Sequence, residues 1–291
     1  MATTHRRRVR PGKIVWSVVA VLMAAAWAFP VYWMLSSSLL PNVVLTSATP
    51  RLFPVGGSLD NYSAVLASGT FVPSLLMSLQ ITLVTVVAAL LFAFLAALAI
   101  SRFRFRGRTA FVLAVLFIQM LPAEGLFIAQ YKMMSTLGEA TGGAIGLNTV
   151  LGVSALYIAA VIPFTVWMLR GFVAGVPAEL EESAMVDGCT RSAAFFRITL
   201  PLLAPGLVAS GVYAFLQAWN EFTIATVILQ RDELKPLPLW LRMFSQASTA
   251  REIDWGQVMA ASTLVAVPVI VFFLIVQGRM TSGLVSGAVK G

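Results

Sequence analysis

The hydrophobic residues of this chain fall into six long runs that are separated by shorter polar segments. The runs cover approximately residues 14–35, 75–100, 109–130, 148–169, 203–229 and 256–277. Each run is close to the ~20 residues that an α-helix needs to cross the hydrocarbon core of a bilayer. Because the backbone polar groups of a spanning segment must be satisfied internally, helices are the expected structure. The pattern therefore predicts an all-α membrane protein with six transmembrane helices.

The first run has a second interpretation, as a cleaved secretory signal. Basic residues precede it, and Ala26-Trp27-Ala28 resembles a cleavage site. However, the run is about 22 residues long, which is enough to span a bilayer, and its apolar character continues beyond the mock site. We therefore favour a retained first helix.

The basic residues predict which side of the membrane each loop occupies. The N-terminal arm, the two loops after the second and fourth runs, and the C-terminal tail together carry 14 of the 20 Lys and Arg residues, and the three opposite loops carry six. Cytoplasmic loops are enriched in Lys and Arg. The count predicts cytoplasmic N- and C-termini.

The composition excludes several classes of function. Hydrophobic residues make up 59% of the 291 residues and charged residues only 11%, against about 25% charged in soluble domains. The net charge of +8 therefore fits anionic lipid headgroups better than nucleic acid. With one cysteine, Cys189, and one histidine, His5, we expect no internal disulfide and no metal site.

One charged segment between the fourth and fifth runs stands out. Pro177 suits the first turn of a helix, and Glu179, Glu181 and Glu182 lie near the positive end of that helix's dipole. Gly188 can adopt the left-handed conformation that ends a helix. A second helical piece is predicted from about Thr190, with an apolar face formed by Phe195, Ile198 and Leu202. The segment thus predicts a helix–glycine–helix elbow outside the bilayer.

This elbow resembles the signature loop of the permeases of ATP-binding-cassette importers. The family pattern is Glu-Ala-Ala, three residues, Gly, nine residues, Ile, one residue and Leu-Pro. It is matched here by Glu182, Ala184, Gly188, Ile198, Leu200 and Pro201. The departures are Ser183 in place of the first alanine and Cys189 after the glycine, and both are small residues.

The resemblance implies how the loop acts and what it binds. In that family the loop docks into a groove of a cytoplasmic ATPase subunit and transmits its motion to the membrane helices. The residues expected to form the docking loop are Glu182, Ser183, Ala184, Asp187, Gly188, Phe195, Ile198, Leu200 and Pro201. The implied partners are a second permease, two ATPase subunits that bind ATP and Mg, and an extracytoplasmic solute-binding protein. A connector without a partner is the alternative.

Two shorter motifs resemble the carbohydrate (maltose-type) branch of the family, and within it the smaller of the two paired permeases. They are Trp219-Asn220-Glu221-Phe222 and the closing Ser286-Gly287-Ala288-Val289-Lys290-Gly291. In the resembling permeases the C-terminus reaches the interface between the ATPase subunits. We therefore expect Lys290 and Gly291 to do so, with a frayed end as the alternative.

The sequence contains no phosphate-binding loop of the form Gly, four residues, Gly-Lys-Ser/Thr. Uphill transport would therefore draw its energy from a partner or from an ion gradient, and we expect no cofactor in this chain and no enzymatic activity of its own.

Polar residues inside the predicted spans are candidates for a substrate pathway, because charge in hydrocarbon is unfavourable unless it faces a cavity or a partner. These are Gln119, Glu124, Trp219, Asn220 and Glu221. Amide and carboxylate groups beside a tryptophan would suit sugar hydroxyls. Hydrogen bonding between helices, or a side chain that extends to the membrane interface, is the alternative role for each.

The resemblance therefore implies a permease subunit of an ATP-driven sugar importer, a multi-pass protein of the cytoplasmic (inner) membrane. We expect residues 1–74 to contain the basic arm, first helix and external loop, 75–277 the permease core with a coupling loop at 170–202, and 278–291 the cytoplasmic tail. Two other functions stay open. A proton-coupled carrier would use Glu124 and Glu221 as relay groups, and a membrane scaffold or sensor would transport nothing.

Overall fold

The computed structural model describes residues 11–49, 51–120, 123–247 and 253–287, and all of its regular elements are helical. The helices are α1 (Pro11–Ser38), α2 (Asn42–Leu45), α3 (Asp60–Ala67), α4 (Phe71–Arg102), α5 (Arg108–Gln119), α6 (Phe127–Ala140), α7 (Val150–Gly175), α8 (Glu179–Val186), α9 (Arg191–Ala194), α10 (Leu200–Asn220), α11 (Thr223–Ile228), α12 (Leu237–Ala247) and α13 (Trp255–Gly287). The prediction of an all-α protein is confirmed.

Five helical runs of the described chain are long and apolar enough to cross a membrane: Val15–Ser38, Phe71–Arg102, Val150–Gly175, Arg191–Asn220 and Trp255–Gly278. The third predicted span differs, because it is divided into α5, a 3₁₀ turn at Ala123–Leu126, and α6. The 12 residues of α5 extend only ~18 Å at ~1.5 Å per residue, which is shorter than the hydrocarbon core. The fifth predicted span also ends earlier than expected, at Asn220.

The chain forms two compact units. One consists of the chain up to Ser68 together with Phe244–Leu264, and the other consists of Gly69–Met243 and the chain from Val265 onward. Helix α13 contributes its first turns to the first unit and the rest of its length to the second.

In the first unit, polar side chains bind the loop after α1 to α3 and to the start of α13. Asn61 donates from Nδ2 to the carbonyl oxygens of Ser38 and Leu40, both at 2.9 Å. Asn42 Oδ1 accepts a hydrogen bond from the backbone N–H of Trp255 at 3.0 Å. The segment 36–74 therefore contains two helices and a hydrogen-bonded junction, where the sequence predicted an extended loop.

The second unit is built on the packing of α4 against α7. Buried residues recur every four positions on both helices. On α4 they are Ile81, Thr85, Ala89, Ala93 and Ala97, and on α7 they are Val153, Tyr157, Val161, Thr165, Leu169 and Val173. Small residues on α4 allow the two backbones to approach closely, which is how helices associate in lipid. Two hydrophobic clusters lie toward opposite ends of this pair, and α10 contributes to both through Ala218 and Leu203.

Close backbone approach also fixes the segments that flank α7. A Cβ atom on Gly152 would lie 2.1 Å from the carbonyl oxygen of Gly146, so only glycine fits. Asn148, in the left-handed region at φ 56°, accepts hydrogen bonds through Oδ1 from the backbone N–H groups of Gln230 (2.7 Å) and Arg231 (3.0 Å). This side chain holds the chain that follows α11 against the start of α7.

Helix α12 covers the first turns of α4. The backbone N–H of Leu237 donates to Ser78 Oγ at 2.7 Å, and Trp240 Nε1 donates to Thr70 Oγ1 at 2.9 Å. The ring of Trp240 also packs edge-on against Phe71 at 5.2 Å between centroids. The sequence predicted only a polar loop between the last two spans, but this part of it is an ordered amphipathic helix.

Candidate functional site

The charged segment between α7 and α10 forms the predicted elbow. Helix α8 begins at Glu179, directly after Pro177 and Ala178, and carries Glu179, Glu181 and Glu182 in its first turn. Those carboxylates complement the partial positive charge at the helix N-terminus. The acidic first turn is as the sequence predicts, whereas Pro177 precedes the N-cap residue Ala178 and so lies just before the first turn in which the sequence placed it.

Gly188 ends α8 with a Schellman motif. Its φ is +91°, which is a conformation that L-residues adopt rarely. The N–H of Gly188 donates to the carbonyl oxygen of Met185 at 3.1 Å, and the N–H of Cys189 donates to that of Ala184 at 3.0 Å. These two bonds satisfy carbonyls at the helix end that would otherwise have no partner. The left-handed glycine that the sequence predicted is confirmed.

The second arm of the elbow is continuous with the next membrane helix. Thr190 caps α9 by accepting a hydrogen bond from the backbone N–H of Ala193 at 3.2 Å. A π-helical turn at Phe195–Thr199 then leads directly into α10. The turn lies just before Pro201, whose ring removes a backbone donor, and local π geometry is one way in which a helix accommodates such a loss. The arm and α10 are therefore continuous, with no intervening loop.

Part of the predicted docking loop is packed against the protein itself. Ala184 is buried, and Phe195 packs on Phe94 of α4 at 6.3 Å between ring centroids. Ile198 and Leu200 are half-buried, while Pro201 is exposed. The apolar face that the sequence assigned to docking therefore lies partly within this chain.

The outward face of the elbow combines acidic and apolar groups. Glu182, Ser183, Asp187 and Gly188 are exposed. The apolar groups beside them are Val186, which is 87% exposed, and Phe196, which is 64% exposed. Sequence reasoning missed Val186 and Phe196, although apolar residues beside charged ones in a loop were visible in the sequence.

Glu181 points inward. Its Oε1 accepts a hydrogen bond from Thr199 Oγ1 at 2.7 Å and lies 3.3 Å from Nη2 of Arg102, the last residue of α4. The sequence indicated neither contact, because the three residues are far apart along the chain.

A second polar site lies where α10 ends. Asn220 is exposed and donates from Nδ2 to the carbonyl oxygen of Leu216 at 2.8 Å. The carboxylate of Glu221 accepts hydrogen bonds from the backbone N–H groups of Ile224 (2.7 Å) and Ala225 (3.0 Å). Glu221 thus caps α11, and its charge stabilises a break between two helices.

Asn220 and Glu221 line an open cavity of about 260 Å³. Its polar lining consists of Tyr157, Gln217, Asn220, Glu221 and Thr223. Sequence reasoning missed Tyr157, Gln217 and Thr223. Trp219 does not line this cavity, because it is 2% exposed and its ring stacks on Phe215 at 5.6 Å.

The other predicted pathway residues are not brought to this cavity. Gln119 lines a separate, apolar cavity of about 160 Å³ beside Pro163, Phe164 and Trp167. Glu124 lies in the 3₁₀ turn between α5 and α6, and its side chain is outside the described residues. Lys290 and Gly291 of the tail also lie outside them.

The fold and the elbow are those of a permease of the binding-protein-dependent class. The family model for the inner membrane component of binding-protein-dependent transport systems matches residues 89–284, and the chain belongs to this family. It is therefore a permease subunit of an ATP-binding-cassette importer and a multi-pass protein of the cytoplasmic membrane.

Individual relatives are similar to this protein over nearly its whole length. It is 39% identical over 280 residues to the diacetylchitobiose uptake system permease protein DasC of Streptomyces coelicolor, covering 96% of this chain and 98% of that protein. It is 32% identical over 276 residues to the trehalose transport system permease protein SugB of Mycobacterium tuberculosis, covering 95% and 97%. A chain of a bacterial transporter that imports the polysaccharide alginate has the same fold, with a TM-score of 0.75, 24% identity and coverage of 95% and 99%.

Proposed function

We propose that this chain translocates a sugar, as an oligosaccharide or polyol, across the cytoplasmic membrane by alternating access that a separate ATPase drives. The observation that carries the proposal is the exposed elbow, in which a left-handed glycine joins an acidic helix to an arm continuous with α10. Relatives named for diacetylchitobiose and for trehalose uptake support a carbohydrate as substrate.

The elbow supplies both parts of a docking surface. Glu182 would pair with a basic group of the ATPase, and the exposed Val186 and Phe196 would enter its groove. Asp187 and Ser183 lie beside them and would complete the polar rim. The half-buried Ile198 and Leu200, and Phe195 against Phe94, would keep the arm attached to the bundle.

The topology that fits this function has six crossings and cytoplasmic termini. Helices α5 and α6, joined by the 3₁₀ turn, would together make the third crossing. The excess of Lys and Arg on the side of the elbow favours a cytoplasmic elbow, where an ATPase can reach it.

The partners would be a second permease, two ATPase subunits and an extracytoplasmic solute-binding protein. ATP and Mg would be bound by the ATPase subunits, since this sequence has no phosphate-binding loop of its own. The C-terminal tail with Lys290 and Gly291 would reach toward the interface between those subunits.

The cavity at the end of α10 would form the part of the sugar pathway that this chain contributes. Tyr157, Gln217 and Asn220 offer hydroxyl and amide groups around about 260 Å³, and such groups pair with sugar hydroxyls. Glu221 would shape the cavity through its cap on α11.

Reconstitution of the chain in liposomes with its second permease, its ATPase subunits and its solute-binding protein tests the proposal. We expect uptake of radiolabelled diacetylchitobiose or trehalose that requires ATP and persists when a protonophore removes the proton gradient. Uptake that needs the proton gradient and no ATPase would establish the carrier alternative. No uptake of any sugar under these conditions would favour a scaffold or sensor.

A further inference from the structure

Glu181 and Glu182 are adjacent in α8 but differ in their exposure. Glu182 is exposed, whereas the side chain of Glu181 is 18% exposed and lies against the bundle. One oxygen atom of Glu181, Oε1, receives the hydroxyl of Thr199 at 2.7 Å and lies 3.3 Å from Arg102 Nη2. A single carboxylate oxygen therefore joins α8, the last residue of α4 and the turn that leads into α10.

The charge of Arg102 is paired with this carboxylate. The side chain of Arg102 is 20% exposed, and its Nε and Nη2 are buried without a hydrogen-bond partner among the described residues, so the 3.3 Å contact of Nη2 with Glu181 is an ion pair. Removing one member of a poorly exposed ion pair leaves the other charge uncompensated. Thr199 is fully buried, so its hydroxyl has little access to water as a substitute partner. Displacing α8 alone would therefore leave the charge of Arg102 unpaired and the hydroxyl of Thr199 without its acceptor, whereas displacing α4 and α10 together with α8 would keep both contacts.

Helix α10 connects this contact to the second polar site. Thr199 directly precedes α10, and Gln217 and Asn220 at the far end of α10 line the cavity. The 21 residues of α10 extend ~31 Å at ~1.5 Å per residue, which approximates the thickness of the hydrocarbon core. A shift imposed on Thr199 can thus be carried along one helix to the cavity.

We propose that Glu181 is a positioning residue that couples movement of the elbow to α4 and α10 through Arg102 and Thr199. This inference rests on the proposed function and adds a division of labour to it: Glu182 contacts the ATPase, and Glu181 passes the resulting displacement into the membrane helices.

The test uses the complete complex in liposomes and compares Glu181→Gln and Arg102→Gln with Glu179→Gln, which neutralises an exposed carboxylate in the same turn of α8. Co-purification of the ATPase reports docking. Radiolabelled diacetylchitobiose and trehalose taken up per ATP hydrolysed report coupling. Because coupling energies of ~1–3 kcal/mol correspond to roughly 5- to 150-fold effects, we expect sugar per ATP to fall about tenfold in the first two variants, with the ATPase still bound. Glu179→Gln should match wild type.

Two further variants separate coupling from folding. Thr199→Val removes one hydroxyl and keeps the ion pair, so it should insert normally and still lower sugar per ATP. The exchange Arg102→Glu with Glu181→Arg restores opposite charges and should recover part of the loss. Wild-type sugar per ATP in Glu181→Gln, Arg102→Gln and Thr199→Val would overturn the inference, as would a loss of ATPase binding in Glu181→Gln. If the wild-type complex itself shows no ATP-driven uptake, the proposed function fails instead.

Discussion

The bend at Gly188 allows a sharp test, because its energetic basis can be separated from steric effects. Gly188 has a φ of +91°, and a Cβ atom placed there would meet no heavy atom within 4 Å. A substitution therefore acts through the backbone alone within this chain. The left-handed conformation is unfavourable by ~1–2 kcal/mol for an ordinary L-residue, while asparagine is enriched in it.

That penalty predicts a graded series. Since ~1–2 kcal/mol changes an equilibrium by roughly 5- to 30-fold, Gly188→Ala should reduce ATP-driven uptake and ATPase coupling by up to that factor, and Gly188→Asn should stay near wild type. Gly188→Leu should abolish both, because it adds a bulky side chain on the exposed face of the elbow. Membrane insertion should be unchanged in all three. Wild-type uptake in Gly188→Leu, or equal damage by asparagine and alanine, would refute the reasoning.

Three other variants test the helix contacts and the cavity. Gly152→Ala forces a Cβ atom to 2.1 Å from the rigid carbonyl of Gly146 and should destabilise the protein by ~1–3 kcal/mol; an unchanged melting temperature of the purified protein would contradict this. Glu221→Ala removes the carboxylate that accepts from two backbone N–H groups at the start of α11, and it should lower stability by ~0.5–2 kcal/mol. Glu221→Gln should be milder, because its amide oxygen still accepts a hydrogen bond. Equal melting temperatures for the two variants would argue against a cap. Asn220→Ala should raise the KM for sugar several-fold and leave ATPase co-purification intact, whereas an unchanged KM would remove Asn220 from the pathway.

The features that the sequence predicted well are those that local chemistry determines. Pro177, the acidic first turn and Gly188 specify a helix start and a helix stop within a few residues, and the elbow has that form. The long apolar runs likewise specified four of the later helices and α1, because the need to satisfy backbone polar groups in lipid leaves few alternatives.

The features that the sequence did not predict depend on contacts between distant residues. The family pattern singles out Glu182 and gives no role to Glu181. Only the packing of α8 against Arg102 and Thr199 shows that Glu181 lies inward while Glu182 is exposed. Glu221 was a candidate pathway group by its charge, but its carboxylate is used by two backbone N–H groups of the next helix. The division of the third run into α5 and α6 was also missed, because hydropathy averages over the 3₁₀ turn.

The central claim is that the elbow binds an ATPase on the cytoplasmic side of the membrane, and a single introduced cysteine can test it. Cys189 is the only cysteine in the chain, so Cys189→Ser with Val186→Cys places a single thiol at a site where the native side chain is 87% exposed. A maleimide carrying a photoreactive benzophenone would then be attached in inverted membrane vesicles that contain the assembled transporter. We predict a photoadduct with the ATPase subunit and no reaction of the thiol with a membrane-impermeant maleimide added to intact cells. Labelling from outside, or no adduct with the ATPase, would contradict it.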